Sequence, residues 1–257
     1  MSAAGWTRWL VTDDGRPRTA WRLLLFVALF VVLLWVEGLL FPFISGLELP
    51  EDRISVGLVA QTALVLVAAL AAAWVLLRFV DRRPVRGLGF PPTAAGLREL
   101  GVGLAIGCAA LAAAVVLLTA LGGYRYASEA GTAVGWVRTT GVALAALAIP
   151  AAAEEALLRG YVFRALREGP GAVAAVVLTS LVFAALHGSN PNAGTFGLVN
   201  IFLAGVLLAV AVLRTGTLWL ATGVHLGWNW IMAGPLDLPV SGLQGLDVPL
   251  YDVAVTG

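Results

Sequence analysis

Glu154, Glu155 and Arg159 stand together in the apolar stretch "AAAEEALLRGYVF" (151–163), where an isolated ionised carboxylate is costly to hold away from water. The chain's two histidines lie in similar surroundings. His187 closes "FAALH" (183–187), and His225 opens "HLGWN" (225–229), which ends on Asn229. On a helix Glu155 and Arg159 share a face and can pair, whereas Glu154 is turned about 100° from Glu155 and points elsewhere. His225 and Asn229, also four apart, project from one face. A lone histidine in an apolar helix is most often a core residue. Two of them, with a Glu-Glu-Arg set and an amide, read as a functional site, the default for ionisable groups inside a span.

A carboxylate beside a histidine can take a proton from water and deliver it to a leaving amine. A second histidine with an amide four residues on can stabilise a developing oxyanion. Together these parts suit hydrolysis of an amide. Glu154, His187 and His225 could equally bind zinc, leaving an open position for water, so the residues leave metal-bound and carboxylate-activated water both open. Gly-x-Ser-x-Gly, His-Glu-x-x-His and a catalytic-cysteine setting are absent. The single cysteine, Cys108, reads as a small packed residue. A proton relay or transporter is a rival for a buried carboxylate–histidine set, but the inverted repeats that reading favours are not evident. A non-proteolytic membrane scaffold or immunity protein is a second alternative.

The elements that must position these groups are apolar helices. The chain is 60% hydrophobic and 12% charged, with a mean hydropathy of +0.92, against roughly 25% charged in a soluble domain. Runs near the ~20 residues needed to cross a bilayer recur throughout. The expected fold is an all-α polytopic membrane protein with seven or eight spans, and the seven apolar segments are 21–43, 54–80, 97–121, 136–158, 172–187, 196–213 and 217–234. The run Leu23–Phe43 exceeds a signal core of ~7–15 residues and is expected to be a retained span. One membrane domain is expected, divided into an N-terminal segment (1–20), three first spans (21–135) with a surface linker (81–96), a catalytic core (136–234) and a polar tail (235–257).

All basic residues are arginine, and the net charge of +1 argues for no nucleic-acid partner. Membrane lipids and a protein or peptide substrate are the expected partners. With the N-terminus in the cytosol, Arg53, Arg125 and Arg138 are the only arginines left outside, which sets an N-in, C-out orientation, the cell membrane being the expected location. Within "GVGLAIG" (101–107), Gly103 and Gly107 open an apolar span without a preceding strand, and so point to close helix packing rather than a phosphate loop. Glu37, near the outer end of span one, is expected at the interface or in a partner hydrogen bond.

Counting helical rise tests whether the polar groups can meet. From a turn near Glu168–Gly171, Glu154 lies about 21 Å back along one helix and His187 about 24 Å forward along the next. His225 and Asn229 lie roughly 12 and 18 Å beyond Thr217, so all four can reach one cavity nearer the cytosolic side. The breaker-rich "GSNPNAGT" (188–195) follows a short span, and irregular backbone at depth is tolerated where it lines a wet cavity.

The three motifs, in their order, resemble a known family. "EEALLR" is similar to the E-E-x-x-x-R motif of the CAAX protease and bacteriocin-processing family, also called Abi; "FAALH" is similar to its F-x-x-x-H motif and "HLGWN" to its H-x-x-x-N/D motif. "GLGF" and "PVSG" also resemble it. The likeness covers residues 136–234. It implies an intramembrane endopeptidase similar to the type II CAAX prenyl endopeptidases, in which Glu154 and His187 activate water, His225 and Asn229 stabilise the oxyanion, and Glu155 with Arg159 support the site. The family is filed among metalloproteases, yet its prenyl-protease members also fit a metal-free glutamate mechanism.

Overall fold

The computed structural model describes residues 10–12, 14–44, 56–190, 194–240 and 248–255. Among them seven helices follow in order: α1 (Thr19–Ile44), α2 (Val56–Val75, prolonged by a π-helical turn Leu76–Val80), α3 (Ala94–Ala120), α4 (Ala133–Glu168), α5 (Ala172–Leu186), α6 (Thr195–Thr215) and α7 (Trp219–Ala233). Five are long and apolar enough to cross a membrane. Leu24, Val31, Trp35, Phe79 and Val116 turn outward, an apolar exterior that a soluble protein avoids and a bilayer accepts. The chain is an all-α polytopic integral membrane protein.

Two of the seven expected spans differ in kind. α5 and α7 have 15 residues each, short of the ~20 a crossing needs. α5 stops at His187, where the backbone turns. α7 starts beyond the left-handed Gly216 (φ 74°) and ends at Gly234. Residues 221–227 of α7 are all buried, so protein rather than lipid surrounds its middle. α4 departs the other way: it continues past the expected end near 158 to Glu168.

α3 and α7 make the most intimate contact between helices, and glycines permit it. A Cβ on Gly103 would stand 2.8 Å from the Val224 nitrogen, and one on Gly107 would stand 2.7 Å from the Trp228 nitrogen. From the other side, a Cβ on Gly223 or Gly227 would press on the backbone of Leu104, at 2.9 Å for Gly223. Each helix presents two glycines four apart, so the backbones touch along two turns. His225 lies between Gly223 and Gly227 in sequence and projects from another face of α7. Cys108 Sγ meets the Gly227 carbonyl at 3.4 Å and serves as a packed residue. Gly107→Leu is therefore expected to lower stability by at least about 1–3 kcal/mol through overpacking, read as a lower unfolding temperature in detergent, with an alanine at the exposed Gly101, where a Cβ meets nothing, as the neutral comparison.

The N-terminus of α1, the C-terminus of α2 and the C-terminus of α4 are tied at one arginine-rich end. Buried Arg22 donates to Asp81 Oδ2 (2.6 Å), Glu168 Oε2 (3.0 Å) and the Tyr161 hydroxyl (3.2 Å), and Arg83 donates to the other Glu168 oxygen. The linker after α2 does more than lie on a surface. Its short turn Val85–Leu88 leads to Gly89, whose carbonyl accepts from Leu218 N at 2.8 Å, and Pro91 O accepts from Trp219 Nε1 at 2.9 Å. It thereby grips the start of α7. At the opposite end β1 (Tyr124–Ser128) pairs antiparallel with β2 (Tyr251–Val255), so part of the expected polar tail is a strand closing the α3–α4 loop. One Glu37 carboxylate oxygen is shielded and has no hydrogen bond among the described residues.

Candidate active site

α4 carries the two glutamates at a local irregularity. Pro150 lies inside the helix and cannot donate to the Ala146 carbonyl. Immediately after Glu155 the helix widens into a π-helical segment, Ala156–Val162, with a non-helical Gly160 (ψ −115°). π-segments recur at functional sites because they re-aim side chains within a continuous helix. Here Glu155 and Arg159, both fully buried, pair across 3.2 Å (Oε1 to Nη1). Arg159 Nη2 also donates to the Gly205 carbonyl on α6 at 3.2 Å, and its guanidinium lies 4.5 Å from the Phe183 ring centroid on α5. Three helices are thus joined through one side chain. A Cβ on Gly205 would lie 3.2 Å from Arg159 Nη2 and 3.0 Å from Ser180 Cβ, so the missing side chain leaves room for this contact.

The two histidines approach Glu154 from different helices, and each is held by its Nδ1. His187 Nδ1 donates to the Phe183 carbonyl at 2.8 Å; a carbonyl only accepts, so that nitrogen carries the proton. His225 Nδ1 donates to Glu155 Oε1 at 3.1 Å. In the neutral rings both Nε2 atoms then carry lone pairs. Glu154 Oε2 lies 3.9 Å from His187 Nε2 and 3.8 Å from His225 Nε2. Phe183 fills the space behind both rings, with centroid separations of 4.6 Å and 5.8 Å. Side-chain exposure falls from 36% at Glu154 through 16% at His187 to 8% at His225 and 0% at Glu155. Glu154 is therefore the most exposed of the group, although the Oε2 that it turns to the histidines is shielded and has no hydrogen bond among the described residues.

Three proton-accepting atoms on one small space bind readily to the O–H groups of a water, a proton or a cation. The donor chemistry suits zinc, but the spacing does not: two tetrahedral ligands at ~2.1 Å lie about 3.4 Å apart. Among the described residues no group of three His, Cys, Asp or Glu side chains is disposed to hold a metal ion. Glu154, His187 and His225 would have to close in to do so.

Of the residues expected from sequence, Glu154, Glu155, Arg159, His187 and His225 come together. Asn229 stands one turn beyond His225 on α7, half-buried, and its side chain makes no hydrogen bond to another described residue. Sequence reading missed the direct bond from His225 to Glu155 and the Phe183 wedge, although Phe183 opens "FAALH" four residues before His187. It also missed Gly205, for which a single small residue in an apolar helix gave no signal.

One comparison with known proteins falls on the same part of the chain. Residues 136–231 match the family described as Rce1-like, type II CAAX prenyl endopeptidase Rce1-like. No curated protein and no solved structure matches the chain. The matched stretch begins in the first turn of α4 and ends within α7, so it encloses every residue of the site and the two helical hairpins that assemble it. Over residues 136–231 this integral membrane protein is similar to the Rce1-like type II CAAX prenyl endopeptidases, a family of CAAX-type proteases.

Proposed function

We propose that the chain is an intramembrane endopeptidase that hydrolyses a peptide bond of a membrane-associated or lipidated protein, using a water activated by Glu154 and His187. The observation that carries the reading is one carboxylate oxygen, Glu154 Oε2, between two Nε2 atoms whose partner nitrogens are already engaged. A water in that space donates one hydrogen to the carboxylate and directs its oxygen lone pair at a substrate carbonyl. Proton transfer to the Glu154–His187 pair forms the nucleophile, and the same proton then leaves with the amine. His225, once protonated at Nε2 with its Nδ1 still donating to Glu155, becomes a donor to the oxygen that turns anionic, and the Asn229 amide one turn further along α7 is the second donor of this reading. Because Glu155 takes up the Arg159 charge, it orients His225 rather than competing for the water's proton. The arginine-rich end of the helices faces the cytosol in this reading, and Glu154 is reached from that side.

Purified protein in detergent is expected to cut membrane-associated or lipidated peptides, with Glu154→Ala and His187→Ala both inactive; equal cutting by either variant would exclude the mechanism. No step passes through a metal ion. Activity is accordingly expected to survive exhaustive chelation, followed as the cleavage rate before and after dialysis; a loss restored only by added zinc would replace carboxylate activation with a metal-bound water.

A further inference from the structure

Glu154 and Glu155 lie immediately before the wide turn of α4, and that turn is held from two opposite sides. In the π-helical segment Ala156–Val162 the non-helical Gly160 separates Arg159 from Tyr161. Arg159 reaches toward α5 and α6, where it meets Phe183 and Gly205. Tyr161 turns the other way and is fully buried against α1. Its ring stacks on Phe26, with 5.6 Å between centroids and 15° between planes, and its hydroxyl accepts from Arg22 Nε at 3.2 Å. The Arg22 guanidinium also lies 5.4 Å from the centroid of the Tyr161 ring. Arg22 is in turn fixed by the buried Asp81. Asp81 closes the π-turn of α2, Leu76–Val80, by donating from its backbone nitrogen to the Leu76 carbonyl at 2.8 Å. One arginine thus joins the wide turns of α2 and α4.

A π-turn closes on the fifth residue rather than the fourth, and one residue is worth about 100° of helix rotation. A return of Ala156–Val162 to regular α-geometry would therefore turn Glu154 and Glu155 away from the histidines, or turn Tyr161 away from Phe26. Both ends of α4 meet their partners only with the wide turn in place. We propose that Arg22 and Tyr161 are positioning residues of the site: by fixing the far side of the π-turn, they set the direction in which Glu154 and Glu155 point. The inference rests on the peptidase reading above. The effect passes along the backbone, since Tyr161 lies seven residues beyond Glu154, about 10 Å along the helix. Arg22 and Phe26 belong to α1, which precedes the matched stretch 136–231, so a helix outside that stretch takes part in building the site.

The test follows cleavage of a prenylated peptide by the full chain in phosphatidylcholine vesicles, with the unfolding temperature read in parallel. Tyr161→Phe keeps the stack on Phe26 and removes only the hydroxyl. It is expected to lower kcat about tenfold, the size of one charge-assisted bond, with KM within about twofold and the protein still folded. Arg22→Lys keeps a charge for Asp81 but lacks the planar fork that holds Asp81 and Tyr161 together, and is expected to give the same loss. The double variant is expected to lose no more than either single one, because both act through one contact. Arg83→Gln, which loosens the same end at Glu168 without touching Tyr161, is expected to keep kcat. Full kcat in Tyr161→Phe, or a loss that Arg83→Gln reproduces, would make the cluster a structural clamp and overturn the proposal while leaving the peptidase reading intact. A loss confined to KM, or losses that multiply in the double variant, would overturn it as well. No cleavage by the unaltered protein would overturn the peptidase reading and the positioning role with it.

Discussion

Glu154→Gln is expected to reduce peptide cleavage about a thousandfold, within the range for loss of a positioned general base, while leaving the protein folded. The amide keeps the size of the carboxylate but cannot accept the water's proton. In the structure Glu154 approaches its two histidines without a hydrogen bond to either (3.9 and 3.8 Å) and is the most exposed member of the group. Its replacement removes no packing contact that the helices need. A parallel measurement of rate and of unfolding temperature in detergent separates the two effects: the rate collapses and the temperature stays. If both fall together, Glu154 acts as a structural group.

Arg159→Ala gives the converse result. It leaves the fully buried Glu155 carboxylate with only His225 as a partner and removes the guanidinium from Gly205 and Phe183. Breaking a buried pair from one side costs about 3–5 kcal/mol, to which the lost contact with the Phe183 ring adds about 0.5–2 kcal/mol. The unfolding temperature is expected to drop sharply, and cleavage with it. Replacing both partners by apolar residues, as in Glu155→Leu with Arg159→Met, is expected to recover much of the stability, since no charge is left unpaired. It does not recover activity, because His225 Nδ1 then has no carboxylate to fix its ring. Stability regained without activity identifies Glu155 as the positioning residue of His225; activity regained as well would make the pair purely structural.

Much of this arrangement follows from periodicity. The Glu155–Arg159 pair is local, four residues apart on one helix, and so is legible without tertiary information. The meeting of Glu154 with His187 is also within reach of sequence, because two antiparallel helices joined by a short turn at Gly169–Gly171 fix relative heights by counting residues. Gly103 and Gly107 signalled close packing, but their partners Gly223 and Gly227 did not, since a small residue marks an approach without naming the helix that approaches. The bond from His225 to Glu155 depends on how α7 is rotated against α4, and that rotation is set by the glycine contact with α3. Hydropathy failed differently at α5 and α7. It measures composition, whereas their lengths are set by the turns at His187 and Gly216, so two apolar runs that read as spans are helices of 15 residues, α5 with an exposed apolar face and α7 buried through its middle. The β1–β2 pairing was not legible either: "YRYAS" and "YDVAV" are far apart in sequence and each is too short to announce a partner.

The central claim is that Glu154 and His187 direct a water, unaided by a metal, at a peptide carbonyl. Mass spectrometry of a lipidated peptide cut by the purified, metal-stripped protein in heavy-oxygen water tests it most directly. The account predicts cleavage at the undiminished rate, one heavy oxygen in the newly formed carboxylate, and no product from Glu154→Gln. Undiminished product from Glu154→Gln, or product that forms only after zinc is restored, would contradict it.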